Sequence, residues 1–322
     1  MPTRPQPRHA PEGATLRPGE HPTTPTAARS HRPATTVISI AHRLQPRDLT
    51  LALLLDQHQL LTTDQITAIL FGSPVTAIHR LRALRRVSFI DRLIRHQPGT
   101  PALTCWIPGA LSARYAALAD GRPPPTTKAL RDAQDRILAN PQTGHLIGAN
   151  QFHIDLLAHA RAHPDTRLAR WWSARRTTAA FAGKIQPDGH GIWTTAGGQV
   201  GYWLEHDQST EDHGRLIGKL ASYRRLRAQG GPGYPVLFWL GSRRRETNLH
   251  YRLADHDTHG VIVATAARDS LDGNSPAGPV WRLFGNGRHR LTLAELPSHS
   301  GKPGGSLNPR QTAQDDPLSR LR

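Results

Sequence analysis

The stretch YWLEHDQSTEDHGRLIGKLASYRR, residues 202–225, places Glu205, Asp207, Glu211 and Asp212 within eight residues of a chain whose formal net charge is +17. Carboxylates packed this closely repel one another unless they are well solvated or share a cation. Side chains alternate along a strand, so Val200, Tyr202 and Leu204 share one face, and Trp203, Glu205 and Asp207 the other. The residues that follow predict a helix. Ser209 or Thr210 suits the N-cap, acidic residues fill the first turn, basic residues the last, and glycines come after. Leu216, Leu220 and Tyr223 make its buried stripe. Lys219 borders that stripe, which aims its stem along the sheet toward the carboxylates.

Upstream, GHLIGANQFHIDLLAHARAH (residues 144–163) predicts an amphipathic helix with Leu146, Ile147, Phe152, Leu156 and Leu157 for a core. Asp188 then stands in a Pro-Asp-Gly turn before a strand, where it also suits a simple turn cap. Downstream, YPVLFWLGS (residues 234–242) and GVIVATAARD (residues 260–269) are continuous apolar runs, expected as strands buried on both faces. The order from residue 145 to 297 is helix, strand, strand, helix, strand, strand. LHYRLADHDTHG (residues 249–260) gathers His250, Asp255, His256, Asp257 and His259 without helical metal-ligand spacing and predicts a solvated loop.

Nearer the N-terminus, RDLTLALLLDQHQ, TTDQITAILFG and SPVTAIHRLRALRRV predict three short helices within residues 46–120, with Thr62 or Thr63 and Ser73 as caps. SFIDRLIRHQ and ALTCWIP predict two strands joined across PGTP. The order and lengths resemble a winged helix-turn-helix. Its third helix turns Ile78, Leu81 and Leu84 inward and Thr76, His79 and Arg86 outward, with Arg80 at the margin, where they suit a DNA major groove. A solvated basic face fits the same pattern. Residues 121–144 carry prolines at both ends and read as a connector. Residues 1–45 and 298–322, rich in breakers and poor in apolar periodicity, are expected to be disordered tails, the first of them basic.

Lys and Arg number 41 against 24 Asp and Glu, which points to a polyanionic partner, nucleic acid foremost. Only Lys128, Lys184, Lys219 and Lys302 are lysines, so a lysine beside the acidic cluster is informative. One cysteine, Cys105, excludes an intrachain disulfide framework and a cysteine-rich zinc site and suits a reducing cytoplasm. The run LTLALLL (residues 49–55) is far too short to span a bilayer, so no membrane is expected as a partner. P-loop and HExxH motifs do not occur.

Pro187-Asp188 followed by Glu205-His206-Asp207 resembles the PD-(D/E)xK nuclease superfamily, whose restriction-endonuclease-like fold is a mixed sheet flanked by helices. That resemblance implies Mg²⁺ or Mn²⁺ held by Asp188, Glu205 and Asp207. Here Asp207 stands at the family's lysine position, and Lys219 is the candidate replacement. A narrower resemblance runs over residues 46–296. QPDG, LEHDQSTE, Lys219-Leu220 and Tyr223, preceded by GHLIGANQFHIDLL, are similar to the replication-relaxation proteins of actinobacterial plasmids, a group related to mobilisation relaxases of restriction-endonuclease fold. It implies a cytoplasmic replication or DNA-relaxation protein acting on double-stranded DNA at a plasmid origin, alongside other replication or transfer proteins. Tyr223 is then either core or a relaxase nucleophile, and Glu211 and Asp212 either first-turn residues or ligands. A metal-dependent nickase, an inactive DNA-binding accessory factor and a structural interaction protein all remain open at this point.

Overall fold

In the computed structural model, which describes residues 36–96, 99, 101–208, 213–258, 260–301 and 307–321, the chain opens with α1 (Val37–Ile40), α2 (Pro46–His58), β1 (Leu61–Thr62), α3 (Thr63–Leu70) and α4 (Pro74–Arg86), followed by β2 (Ile90–Arg95) and β3 (Leu103–Pro108). Local chemistry sets these boundaries. The Thr62 hydroxyl accepts from the Gln65 amide and the Gln65 side chain accepts from the Thr62 amide, each at 3.1 Å, a reciprocal cap that starts α3. Pro74 sits in the first turn of α4, where its missing N–H costs nothing. Along α4 the buried stripe is Ala77, Leu81 and Leu84, with Ile78 half-buried, one position off the expected face. β3 lies between β1 and β2 in a three-stranded antiparallel sheet. The turn expected at PGTP falls largely outside the described residues.

Next come α5 (Ala110–Ala119), α6 (Thr127–Ala139), α7 (Thr143–Ala162), β4 (Arg167–Ser173), α8 (Ala174–Ala180), β5 (Gly189–Thr195), β6 (Gly198–His206), α9 (His213–Ala228), β7 (Val236–Leu240), α10 (Arg243–Ala254), β8 (Val263–Ala267), β9 (Trp281–Leu283) and β10 (Arg290–Leu291). Strands β4 to β10 build one mixed sheet in the order β10-β9-β8-β7-β6-β5-β4. β4, β5 and β6 form an antiparallel meander, while β6, β7 and β8 run parallel because α9 and α10 carry the chain back each time. Alternation along β6 is as the sequence predicts. Tyr202 and Leu204 pack with Phe152 of α7 on one face, and Trp203 packs with Leu216, Leu220 and Tyr223 of α9 on the other.

Several expectations need correction. β4, α8, α10 and the edge strands β9 and β10 were not anticipated. The presumed loop at residues 249–260 is half helix: Leu249 and Leu253 are buried one turn apart on α10, and His250 Nε2 meets Thr265 Oγ1 at 2.8 Å; His259 lies outside the described residues. The connector holds α6, whose Ile137 packs with Leu60, Cys105 and Ile107.

Residues 46–120 and 145–297, expected as separate domains, share one core in which Leu51, Leu55 and Ile66 join Phe152 and Trp171. Gln57 donates to the Trp171 carbonyl at 2.8 Å and Asn150 to the Leu60 carbonyl at 3.1 Å, and Thr35–Arg322 forms a single compact unit. Residues 36–45, assigned to the basic tail, begin the fold, with Ile40 buried.

The C-terminal segment is anchored by charge where apolar residues are scarce. Asp315, fully buried, accepts from Arg170 Nε at 3.0 Å, Arg176 Nη2 at 2.8 Å and Trp172 Nε1 at 3.0 Å. The N-terminal 35 residues and Ser209 to Asp212, including the proposed cap and the acidic pair Glu211 and Asp212, lie outside the described residues.

Candidate functional site

β5 and β6 bring Asp188 beside Glu205. Asp188 precedes β5, and its amide donates to the Leu204 carbonyl at 2.9 Å. Its Oδ2 accepts from the His206 amide at 2.7 Å, so the carboxylate is held against the end of β6. The other oxygen, Oδ1, lies 2.9 Å from His145 Nε2 at the start of α7. Glu205 is only 1% exposed and faces α9. Lys219 Nζ donates to its Oε2 at 2.7 Å and the Tyr223 hydroxyl to its Oε1 at 2.5 Å. Lys219 and Tyr223 are one turn apart, so a single helix face delivers both donors. Lys219 keeps 27% of its side chain in solvent. With Glu205, Gln186, Ser222 and Tyr223 it lines a cavity of about 300 Å³.

Electrostatics follow from this burial. Desolvation, then the Asp188 charge, pushes Glu205 up to about 7, with Lys219 and Tyr223 pulling it back. Burial and the neighbouring Glu205 hold the Tyr223 phenol well above its ordinary value, so it remains a protonated donor. Burial, Arg268 and His145 drive His206 down to about 3. Its neutral ring accepts from Arg268 at 3.3 Å through Nε2, which leaves the proton on Nδ1, a buried atom with no hydrogen-bond partner. Gly148 of α7 lies against that ring, at a point where any side chain would overlap His206.

Asp207 shares the parity of Glu205 but not its surroundings. It is bound by both Arg245 Nε and Arg245 Nη2, the latter at 2.9 Å, and Arg268 donates to its carbonyl at 3.0 Å. The expected three-carboxylate cluster is therefore a pair, Asp188 and Glu205, with Asp207 engaged by an arginine fork. Among the described residues no group of three or more His, Cys, Asp and Glu is arranged to hold a metal ion. The pair consists of one carboxylate just before β5 and one in β6, and burial followed by their mutual repulsion is what raises Glu205.

On α4, Thr76, His79 and Arg86 are exposed as expected, but Arg80 is not available to a ligand. It forks onto Asp48, which is 1% exposed, and donates to the Arg43 carbonyl at 2.7 Å. Arg82, Arg85, Arg86, Arg92 and Arg131 line a separate cavity of about 650 Å³ between α4, β2 and α6. His145, Arg245 and Arg268 were missed by sequence reasoning. His145 offered a signal in GHLIGANQFH, next to a site whose partner was already named; the arginines offered none in so arginine-rich a chain.

A mixed sheet that sets two carboxylates, one just before β5 and one in β6, against a lysine carried by the following helix defines a mixed α/β protein with a carboxylate–lysine site. Residues 51–234, more than half of the chain, match the replication-relaxation family, and the chain belongs to that family. Membership points to a role in replication and relaxation, and so to interaction with DNA. No curated protein and no solved structure matches. The matched span contains Asp188, Glu205, Lys219 and Tyr223 and ends before α10, so Arg245 and Arg268 reach the site from beyond it. No helix among the described residues is long and apolar enough to cross a membrane.

Proposed function

We propose that this protein is a metal-dependent DNA nickase of the relaxase-like PD-(D/E)xK type, acting in plasmid replication or relaxation. The single observation that carries this reading is the convergence of Asp188, Glu205 and Lys219, with Lys219 Nζ 2.7 Å from Glu205. It has the composition of the superfamily's site, with the lysine supplied by the helix instead of the strand. Asp188 and Glu205 would hold Mg²⁺ or Mn²⁺, which when bound neutralises phosphate charge and lowers the pKa of a coordinated water.

The chain's own side chains have separable tasks. Lys219, partly exposed on the cavity, offers its ammonium to the negative charge that develops on a scissile phosphate. His145, whose Nε2 lies 2.9 Å from Asp188 Oδ1, positions that carboxylate beside the end of β6. Tyr223 donates to Glu205 and orients it. A buried phenol with a raised pKa is a poor nucleophile, which favours hydrolysis over a covalent tyrosyl adduct. Asp207 and Arg245 lock the end of β6 to α10. The helix and strand order of α2, β1, α3, α4, β2 and β3 supports a winged-helix reading, and the arginines around α4 supply a surface for duplex phosphate.

The test is relaxation of supercoiled plasmid with Mg²⁺ or Mn²⁺, with and without EDTA, beside a melt with and without metal. Wild-type protein should nick only with metal and should gain melting temperature on adding it. Glu205→Gln should lose both effects while still binding duplex, and Lys219→Ala should keep the thermal gain and lose nicking. Metal-independent behaviour in both assays, with Glu205→Gln equal to wild type, would sink the nickase reading.

One observation favours a second reading, a DNA-binding accessory factor without nuclease activity. Both Glu205 oxygens already accept internal hydrogen bonds, and an aspartate stands where the superfamily has its strand lysine. Duplex binding without nicking under any divalent metal would select it.

A further inference from the structure

Helix α10 presents two working faces. Arg245 turns toward Asp207, whereas Arg243, Thr247 and Tyr251, spaced four residues apart, lie exposed in a row along another side. Across from that row stand Arg282 in the middle of β9, Phe284 just after it, and Arg288 before β10. Between the two walls opens a cleft of about 880 Å³.

Its floor is a closed polar network. Buried Glu246 accepts two bonds from Arg290, at 2.7 and 2.6 Å, and one from Thr265 Oγ1 at 2.6 Å. The floor carboxylate is therefore spent internally, and Asp272 at the rim is the other acidic lining residue among those described. Arg243 and Arg288 are exposed and form no ion pair among the described residues. Tyr251 keeps 71% of its surface in water, unusual for a large ring. Arginines in excess over acids, around an exposed aromatic ring, are what recognises an unpaired nucleotide: cations for the phosphates and an aromatic plane for the base.

We propose that this cleft binds single-stranded DNA, with Arg243, Arg282 and Arg288 on the phosphates and a base stacked on Tyr251 beside Phe284. A base within a duplex is already stacked on its neighbours and shows only its edge, so the exposed ring selects an unpaired strand. The choice of DNA rests on the replication-relaxation reading, but the cleft lies outside the family-matched span and uses none of Asp188, Glu205 or Lys219.

Binding of fluorescein-labelled oligo(dT) to the full chain, followed by anisotropy at several salt concentrations, tests it beside a hairpin duplex. Affinity for oligo(dT) should fall with salt. Arg243→Ala with Arg288→Ala should weaken it about tenfold or more, and Tyr251→Ala by roughly 5- to 150-fold, the range of one lost stack. Tyr251→Phe should stay close to wild type, and all variants should keep duplex affinity and melting temperature.

Unchanged oligo(dT) binding in the double variant overturns the proposal. So does equal loss on duplex, tighter binding of oligo(rU), or equal competition by polyglutamate, which would mark the cleft as a peptide site. A chain that never nicks plasmid yet loses oligo(dT) through these arginines supports the cleft and removes the nickase reading, so the two claims fail separately.

Discussion

Replacing Asp315 with Asn keeps shape and volume and removes one negative charge from a site that is 0% exposed, facing Arg170 at 2% and Arg176 at 34%. Arg170 then becomes a buried cation without its counter-ion. Removing one partner of a buried pair costs about 3–5 kcal/mol, because the remaining charge stays desolvated. Against a total stability of roughly 5–15 kcal/mol this is a large fraction. At about 2–4 °C per kcal/mol for large domains, the midpoint should fall by roughly 6–20 °C. Urea unfolding followed by far-ultraviolet circular dichroism, with a thermal melt, measures it. A double replacement, Arg170→Met with Asp315→Leu, should recover much of the loss, since an apolar pair of similar volume needs no counter-charge. A midpoint within about 2 °C of wild type for Asp315→Asn would refute the reasoning and show that water or another acceptor reaches Arg170.

The two basic residues of α4 should separate cleanly. Arg80→Ala should cost about 2–3 kcal/mol by stranding buried Asp48, less than a fully buried pair because Arg80 is 22% exposed, whereas Arg86→Ala should leave stability within about 0.5 kcal/mol and weaken duplex binding. Gly148→Ala should destabilise by about 1–3 kcal/mol through overlap with His206, while Gly218→Ala on the exposed face of α9, with no atom near the new methyl, should stabilise by roughly 0.5–1 kcal/mol; chemical denaturation reads both. Burial holds His153 neutral down to about 3 and His250 to about 4, against 6.5 for an unhindered imidazole. The unfolded chain therefore binds more protons below pH 6.5, and stability should fall as pH drops from there toward 4, by up to about 1.4 kcal/mol per pH unit for each histidine. His153→Gln should flatten that slope in urea titrations across pH.

Periodicity carried the centre of the molecule. β6 declares its two faces because each buries a different helix, and α9 declares Lys219 because its apolar stripe leaves one flank for it. α10 escaped notice although Ser242, Glu246, Leu249 and Leu253 form a cap and a stripe, since histidines and aspartates around residue 255 suggest a loop. β4 was masked by arginines: Arg170 reads as surface until Asp315, 145 residues later, is seen to neutralise it. Asp207 shows the limit of parity. Alternation gives the face on which a carboxylate emerges, not whether an arginine such as Arg245 from a distant helix has already claimed it. The same holds for Arg80, at the margin of the outward face by helical angle yet folded back onto Asp48.

The shared core that joins α2 and α3 to α7 and β4 also sets a dimension. A reader tethered to a blade by a flexible linker cuts over a spread of positions, whereas here Gln57 and Asn150 bond across the junction and Leu51, Leu55 and Ile66 pack with Phe152 and Trp171. Sliding α4 relative to Glu205 would mean opening that core to water. Under the proposed function the molecule behaves as a calliper. The number of base pairs between the sequence contacted by α4 and the bond broken near Glu205 is fixed by packing, and mapped nick sites should fall at one offset from the bound sequence.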